Sequence, residues 1–202
     1  FSGPEQAPFD SVNFVTCHDG FCLRDLVSYT TKRNDANLEG GRDGSDNNHS
    51  SNGGVEGETD DPAVLVHRDR RVRNFLALMF LSHGTPMLLM GDETGHTRRG
   101  NNNPWCQDND LNWVDWTPGP RRDGLMRFVK GLIELCGAVP VLQTNRYWTA
   151  ANEKTTGEIT WHGSQLGRPD WSADSRTLAW TLARPEGGPA LHVMLNASDE
   201  DV

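Results

Sequence analysis

The sequence predicts an α/β fold in which buried parallel strands alternate with helices, followed by a smaller antiparallel β region. Over residues 12–137, two short apolar strands, each followed by acidic residues, alternate with two amphipathic helices. After Pro140 the pattern changes to short β-branched and aromatic stretches separated by Gly, Pro, Asp and Asn. We therefore expect one domain over residues 1–137 and part of a second over residues 138–202.

The first predicted strand covers residues 12–17, which are rich in β-branched and aromatic side chains. His18 and Asp19 follow it directly. Titratable residues at the C-terminal end of a buried strand are a functional indicator in barrels and open α/β sheets. A structural histidine is the competing interpretation of an isolated His-Asp pair. One or two helical turns are expected over residues 23–29.

The first long helix is predicted to begin at Pro62, with Asp61 as its N-cap, and to continue to about Ser82. Its apolar residues recur at the spacing of one helix face. Four arginines are expected largely on its exposed side, where a solvated face explains them better than a nucleic-acid patch: Arg68, Arg70, Arg71 and Arg73.

A second strand is predicted over residues 85–90, and it also ends in acidic side chains, Asp92 and Glu93. A long loop and a second amphipathic helix follow, and Gly137 is expected to cap that helix. The repeated order of strand, acids, loop and helix indicates parallel strands whose polar ends share one edge. Three short strands are then expected to form an antiparallel sheet, over residues 158–162, 177–182 and 191–195.

Charge and composition argue against several classes of partner. The net charge of −9 disfavours nucleic acids and anionic membranes, whose phosphates would be repelled, whereas it suits a neutral ligand such as a sugar. No stretch of about 18 apolar residues occurs, so no membrane-spanning segment is expected. The four cysteines match no zinc pattern, and residues 43–54 lack the Gly and Glu of a calcium loop, so no metal or cofactor is predicted. The cysteine usage favours a reducing compartment and hence the cytoplasm.

Five segments resemble a known enzyme family. Residues 12–20, Val-Asn-Phe-Val-Thr-Cys-His-Asp-Gly, resemble the fourth conserved region of the α-amylase superfamily of glycoside hydrolases, and residues 84–93 resemble its eighth-strand motif. Residues 23–29, 42–48 and 100–109 look like the isoamylase and glycogen-debranching branch, because linear-chain amylases lack these long loops.

The resemblance extends from about residue 9 to the end of the chain and weakens after residue 140. It implies the C-terminal part of a (β/α)8 TIM barrel, its seventh and eighth βα units, followed by the start of an antiparallel β-sandwich. Residues 1–137 would be that part of the catalytic barrel, residues 138–202 a partial β domain, and the rest of the polypeptide is expected upstream. One departure is that the branch usually has an aromatic residue and a cysteine where this sequence has Ser51 and Gly53. If that aromatic binds glucan, one subsite is altered here.

The resemblance also implies roles for the residues after the first strand. Retaining glycoside hydrolysis needs a nucleophile and an acid/base about 5 Å apart. In this superfamily both follow earlier strands, and we therefore expect them outside this chain. The third family carboxylate corresponds to Asp19, which would stabilise the transition state by binding sugar hydroxyls, and His18 would donate a hydrogen bond to the same sugar.

Five further residues are predicted to bind substrate: Asn103, Trp105, Asp108, Asp92 and Glu93. Asn103 and Asp108 match loop positions that contact donor-side glucose units in relatives, and Trp105 suits stacking on a sugar face. For the two acids after the second strand, bracing of the loops is the preferred alternative. For Trp113 and Trp116, core packing competes with sugar stacking.

The predicted function is that of a glycoside hydrolase segment. The full-length protein would hydrolyse α-1,6 branch linkages in glycogen, amylopectin or limit dextrins by a retaining mechanism, while this chain alone would be inactive. One alternative is a non-catalytic glucan-binding module, which needs the loops and tryptophans but no nucleophile. Others are a truncated product with an aggregation-prone sheet edge, and a related transferase or trehalose-pathway hydrolase that shares the barrel motifs.

Overall fold

A computed structural model of the chain describes residues 6–148, 158–184, 187–188 and 190–198. The chain divides into two compact units. The first, which we name the α/β unit, is Ser11–Glu134, and the second, the β unit, combines Phe1–Asp10 with Leu135–Val202.

The α/β unit contains two strands, two complete helices and most of a third: β1 (Val12–Asn13), α1 (Leu23–Leu26), α2 (Pro62–Leu81), β2 (Thr85–Pro86) and α3 (Pro120–Ala138). β1 and β2 pair in parallel, with Val12 opposite Thr85. The backbone N–H of Met87 donates to the carbonyl oxygen of Asn13 at 2.8 Å. The predicted parallel pairing is therefore confirmed, and the ends of both strands lie at the same edge.

Both strands are shorter and more exposed than the sequence predicted. Each has two residues instead of six, and the side chains of Val12 and Phe14 are each 52% exposed. The prediction of long buried strands was wrong because, within the described residues, each of the two has only one strand neighbour. A two-stranded ladder without a layer over each face buries little apolar surface.

Helix α2 begins and ends where the sequence placed it. The Asp61 carboxylate accepts a hydrogen bond from the Ala63 backbone N–H at 2.8 Å, and Pro62 occupies the first turn, where its missing N–H costs nothing. The helix ends at Leu81. Gly137, predicted as the cap of the later helix, instead lies within α3.

The core of the α/β unit packs α1 against α2 and α3. Eight buried apolar side chains form it: Leu23, Val27, Val72, Leu76, Met79, Leu125, Val129 and Leu132. Burial of such a side chain contributes about 1.5–3 kcal/mol. Because Leu23 belongs to this core, α1 is anchored four residues after Asp19.

The β unit contains a three-stranded antiparallel sheet, as predicted: β3 (Ile159–His162), β4 (Thr177–Leu182) and β5 (Leu191–Asn196). Trp161, Trp180 and Val193 stand side by side across it. The face that carries Trp180 and Val193 is buried, whereas Met194 on the other face is exposed. Among the residues described, no helix is long and apolar enough to cross a membrane.

Candidate functional site

The turn that follows β1, residues 17–20, holds His18 and Asp19 in the open; we name it the β1 turn. The His18 Nε2 atom lies 3.3 Å from the Asp19 Oδ2 atom, and the two side chains are 87% and 79% exposed. The backbone is fixed on both sides of this pair. The Cys17 thiol donates to the Asp19 carbonyl oxygen at 3.4 Å, and the Gly20 N–H donates to the Asn102 carbonyl oxygen at 3.0 Å. A large polar ligand can therefore reach both side chains.

The turn that follows β2, residues 91–95, is the β2 turn, and its first acid is buried. Asp92 is 2% exposed. Its Oδ2 atom accepts from the Thr16 hydroxyl, and its Oδ1 atom accepts from the Leu23 N–H at 2.8 Å. The Glu93 carboxylate accepts from the Gly91 N–H at 2.8 Å. Protein donors thus occupy both Asp92 oxygens, which favours bracing over direct contact with a ligand.

Asp92 fixes both flanks of the β1 turn. Thr16 precedes His18 and Asp19, and Leu23 follows them at the start of α1. Burial raises the pKa of Asp92 to about 6, while the hydrogen bonds from Thr16 and Leu23 oppose that rise. The energetic cost of the buried carboxylate is therefore only partly offset by these bonds, which hold the β1 turn in place.

An amide network joins the loop after α1 to the loop before α3. Asn34 and Asn102 bond reciprocally: the Asn34 Nδ2 atom donates to Asn102 Oδ1 at 2.9 Å, and the Asn102 N–H donates to Asn34 Oδ1 at 3.0 Å. Asn37 Nδ2 donates to Asp43 Oδ2 at 2.7 Å and to the Asn103 carbonyl oxygen at 2.9 Å. The approach is so close that a Cβ at Gly44, where φ is +70°, would lie 2.2 Å from Asn102 Oδ1. Glycine is therefore required at that position.

The loop before α3, residues 96–119, is named the asparagine-rich loop, and the predicted substrate-binding residues within it are partly engaged by other groups of the chain. Asn103 Nδ2 donates to Asp43 Oδ2 at 3.1 Å, and the Asp108 carboxylate accepts from Trp113 Nε1 at 2.9 Å. Three tryptophans of this loop are exposed, Trp105 most of all at 79%: Trp105, Trp113 and Trp116. Neither Trp113 nor Trp116 lies in the core of this chain, so all three indoles are available for stacking.

The structure brings part of the predicted site together. The Gly20 N–H donates to the Asn102 carbonyl oxygen. Asp19 precedes Gly20 and Asn103 follows Asn102, so each of them is next in sequence to one partner of this hydrogen bond. The β1 turn and the asparagine-rich loop are therefore neighbours, although Asp19 and Asn102 are 83 positions apart in the sequence. Asp92 and Glu93 support this surface indirectly, because their carboxylates accept hydrogen bonds from the Thr16 hydroxyl and from the N–H groups of Leu23 and Gly91.

Asp25 was not singled out by the sequence as a positioning residue. Its fully buried carboxylate accepts from the Arg98 N–H at 2.9 Å, from the Gly100 N–H at 3.1 Å and from the Thr97 hydroxyl. Burial raises its pKa, although these three bonds oppose the rise. Asp25 thereby ties α1 to the start of the asparagine-rich loop. The available signal was an acid inside the apolar turn Leu-Arg-Asp-Leu-Val.

Arg68 corrects a prediction, because its side chain is 1% exposed instead of solvated. Its guanidinium donates to the carbonyl oxygens of Asn52 at 2.6 Å and Gly57 at 2.6 Å, and also to that of Val55. A guanidinium carries five donors, and these loop carbonyls lie outside any helix or strand that would satisfy them. The spacing contained the signal, since Arg68 precedes the buried Val72 by four residues and so lies on the same helix face.

Comparison with known proteins relates the chain to longer enzymes. No protein-family profile matches it. The glycogen debranching enzyme of Erwinia tasmaniensis is 43% identical over 203 residues, which cover 99% of this chain and 29% of that enzyme. Isoamylase 3, chloroplastic, of Oryza sativa subsp. japonica is 43% identical over 197 residues, which cover 96% of this chain and 24% of that protein. The chain therefore spans less than a third of the length of the curated relatives that it matches.

Solved structures share this fold within larger chains. A pullulanase from Anoxybacillus sp. LM18-11, in complex with maltotetraose, matches with a TM-score of 0.60 at 20% identity and covers 96% of this chain and 22% of that one. The catalytic module of the glycogen-degrading pneumococcal virulence factor SpuA matches with a TM-score of 0.60 at 14% identity, covering 96% of this chain and 29% of that one. At these identities the likeness concerns the fold alone. The sequence relatives confirm the resemblance drawn from the motifs: over almost its whole length, this chain is homologous to proteins of the glycogen debranching enzyme and isoamylase type of the α-amylase superfamily.

Proposed function

We propose that this chain is the part of a debranching glycoside hydrolase that supplies a transition-state-stabilising carboxylate and substrate loops. The longer protein hydrolyses α-1,6-glucosidic branch linkages in glycogen, amylopectin or limit dextrins by a retaining mechanism. The observation that carries the proposal is the β1 turn. His18 and Asp19 are exposed after a parallel strand and beside the asparagine-rich loop, in a chain 43% identical to a glycogen debranching enzyme.

In this proposal residues 1–137 are the seventh and eighth βα units of a catalytic barrel, and residues 138–202 are the start of a β domain. The parallel pairing of β1 with β2 supports the first assignment, because strands of a (β/α)8 barrel are parallel and carry functional residues at their C-terminal ends. The antiparallel order of β3, β4 and β5 supports the second.

In this mechanism Asp19 binds the substrate and does not activate the water molecule that hydrolyses the bond. Its two carboxylate oxygens accept hydrogen bonds from sugar hydroxyls, and these bonds strengthen as the ring distorts toward an oxocarbenium-like transition state. His18, 3.3 Å from Asp19, donates to the same sugar. The accessibility of both side chains supports these roles, whereas a purely structural histidine would be packed against protein groups.

The loops around Asp19 bind the flanking glucose units. Asn103 is fixed through Asp43 near the β1 turn, Trp105 offers an exposed indole face, and Asp108 is oriented by Trp113 Nε1. Sugar C–H groups suit the electron-rich face of an indole. Asp92 and Glu93 act indirectly, by holding the backbone around the site.

The nucleophile and the acid/base lie, in this proposal, in polypeptide outside these 202 residues. The purified chain is therefore expected to release no reducing sugar from glycogen or from amylopectin limit dextrin, whereas the longer protein releases it steadily. Reducing-end assays on both proteins under the same conditions measure this difference. Turnover by the 202-residue chain alone would overturn the division of roles proposed here.

A second candidate function, glucan binding without catalysis, is favoured by the exposed tryptophans. Affinity electrophoresis in gels that contain glycogen tests it, because retention without hydrolysis indicates binding. Trp105→Ala is expected to lose the retention. Trp171→Ala, which removes an exposed indole from the β unit, is the matched control and is expected to migrate like the unaltered chain. Equal losses in both variants would contradict a site on the asparagine-rich loop.

A further inference from the structure

A cavity of about 390 Å³ that is open to solvent lies on the α/β unit, between α1, α2 and the start of α3. Its six charged residues are Arg24 on α1, Asp69 and Arg73 on α2, Asp115 before α3, and Arg121 and Arg122 on α3. None of the residues assigned above to the glucan site lines it. The cavity is therefore lined by residues separate from those of the proposed glucan site.

The cavity wall is positively charged in a chain whose net charge is −9. Four arginines and two aspartates line it, an excess of two positive charges. A single oxygen, Asp69 Oδ1, accepts from Arg24 Nη1 at 3.1 Å and from Arg121 Nε at 3.0 Å. One carboxylate therefore neutralises two guanidinium groups, and one of the two charges remains uncompensated.

Arg122 and Arg73, the other arginines of the wall, also have N–H groups that remain available to a ligand. Arg122 donates to the Asp115 carboxylate at 2.9 Å and to the Thr117 carbonyl oxygen, but its Nε atom is buried without a hydrogen-bond partner in the described structure. Arg73 donates to the Asp69 carbonyl oxygen at 3.2 Å, and its guanidinium lies over the Phe128 ring. A buried donor without a partner is costly, so an acceptor in the cavity would be stabilising.

Two further features favour an anion in the same place. Burial and the neighbouring Arg121 guanidinium both lower the pKa of Arg24, although the Asp69 carboxylate opposes this shift. In addition, α3 has 19 residues and begins at the cavity, with Gly119, Arg121 and Arg122 in the wall. The first N–H groups of a helix have no partner within the helix and attract negative charge.

We propose that this cavity binds a phosphate group, as free phosphate or as the phosphate ester of a small sugar. A phosphate dianion matches the excess of two positive charges, and planar guanidinium groups bind phosphate oxygens in pairs. The volume suits a ligand of monosaccharide size, and the Val72 and Leu125 side chains in the wall provide an apolar surface for the ester. This inference does not depend on the proposed glucan hydrolysis.

Isothermal titration calorimetry of the 202-residue chain tests the proposal, with inorganic phosphate and glucose 6-phosphate as probes at constant ionic strength in chloride. Saturable binding of at least one probe at one site per chain is expected. Tighter binding of glucose 6-phosphate assigns the cavity to an ester, and equal or weaker binding assigns it to free phosphate. Absence of saturable binding for both probes would overturn the proposal.

Three variants distinguish a phosphate-binding role of this arginine cluster from a purely structural role in holding the helices together. Arg121→Gln is expected to weaken phosphate binding about tenfold or more, since it removes one charge-assisted pair of bonds. Arg127→Gln, an exposed arginine of the same helix outside the cavity, should leave it unchanged. Asp69→Asn releases Arg24 and Arg121 from their carboxylate and is expected to tighten binding several-fold.

Equal weakening by Arg121→Gln and Arg127→Gln, or weaker binding by Asp69→Asn, would contradict the site. Circular dichroism checks that each variant is folded. If Arg121→Gln does not fold, Arg73→Gln removes a second charge from the same wall. The same tenfold loss is then expected, and unchanged affinity would overturn the proposal.

Discussion

The β1 turn and the β2 turn differ sharply although the sequence presents them in the same way. Each follows one of two paired parallel strands, and each carries an aspartate. Asp19 in the β1 turn is 79% exposed, whereas Asp92 in the β2 turn is 2% exposed. The position of an acid after a strand therefore does not decide its role. The donors that the surrounding backbone leaves unsatisfied decide it.

Two such donors flank the β1 turn and point at Asp92 in the β2 turn. The Leu23 N–H begins α1 and has no partner within that helix, and the Thr16 hydroxyl faces the same point, so Asp92 completes both. In the β1 turn the nearby backbone groups are already paired through Cys17 and Asn102. Asp19 thus remains free to receive hydrogen bonds from a ligand.

The largest expected difference between the two turns is in the free energy of unfolding of the variants Asp92→Ala and Asp19→Ala. Asp92→Ala leaves the Leu23 N–H and the Thr16 hydroxyl buried without an acceptor, which should lower the free energy of unfolding by about 3 kcal/mol. Asp19→Ala should change it by less than about 0.5 kcal/mol, as for other exposed positions. Urea unfolding measures both, and similar losses in the two variants would break the comparison.

The pH dependence of stability gives the next effect. Burial raises the folded-state pKa of Asp92 from an ordinary value of about 4 to about 6, so the folded chain favours the protonated acid. The part of the stability that comes from protonation of Asp92 is fully present below about pH 4 and is lost as the pH rises through about 6. Relative to Asp92→Asn, the unaltered chain should lose about 2–3 kcal/mol between pH 4 and pH 7.

Urea unfolding of the two proteins at several pH values measures this difference. Asp25, whose pKa is also raised by burial, is present in both and cancels from the comparison. Parallel stability curves over this pH range would show that Asp92 is not buried as described.

A smaller effect is expected from the glycines of the two turns. Both have positive φ, +101° at Gly91 and +86° at Gly20. A Cβ at Gly91 would lie 2.9 Å from the His96 Cβ atom, whereas one at Gly20 would meet nothing within 4 Å. Gly91→Ala should cost about 2–3 kcal/mol through backbone strain and overlap, and Gly20→Ala about 1 kcal/mol through backbone strain alone. Thermal unfolding ranks the two, and a larger loss at Gly20 would contradict the closer packing of the β2 turn.

Local sequence signals predicted helix α2 and the strands of the β unit well. The Asp61-Pro62 pair placed the start of α2, and the expected end at about Ser82 lies one residue beyond the observed end at Leu81. Short candidate strands separated by Gly, Pro, Asp and Asn matched β3, β4 and β5 to within about one residue at each end. Such signals work because capping and periodicity depend on neighbours within a few residues. The exposure of His18 and Asp19 also agrees with their expected access to a ligand.

Long-range contacts account for what the sequence did not predict. The Asn34–Asn102 pair joins residues 68 positions apart, and Arg68 finds its acceptors in a loop that has no regular pattern. The strands after Ser11 and Gly84 were predicted as long and buried, but burial depends on layers that a local pattern cannot specify. The resemblance supplied the roles of individual side chains, which composition and spacing alone left open.

The most direct test of the proposed role of Asp19 is the debranching rate of the longer protein that carries Asp19→Asn. Reducing ends released from amylopectin limit dextrin should fall by at least about 100-fold, as for loss of a transition-state contact, with the free energy of unfolding unchanged. Asp174→Asn, at an exposed position of the β unit, should keep the full rate. An Asp19→Asn protein that keeps more than about a tenth of the rate would contradict the account.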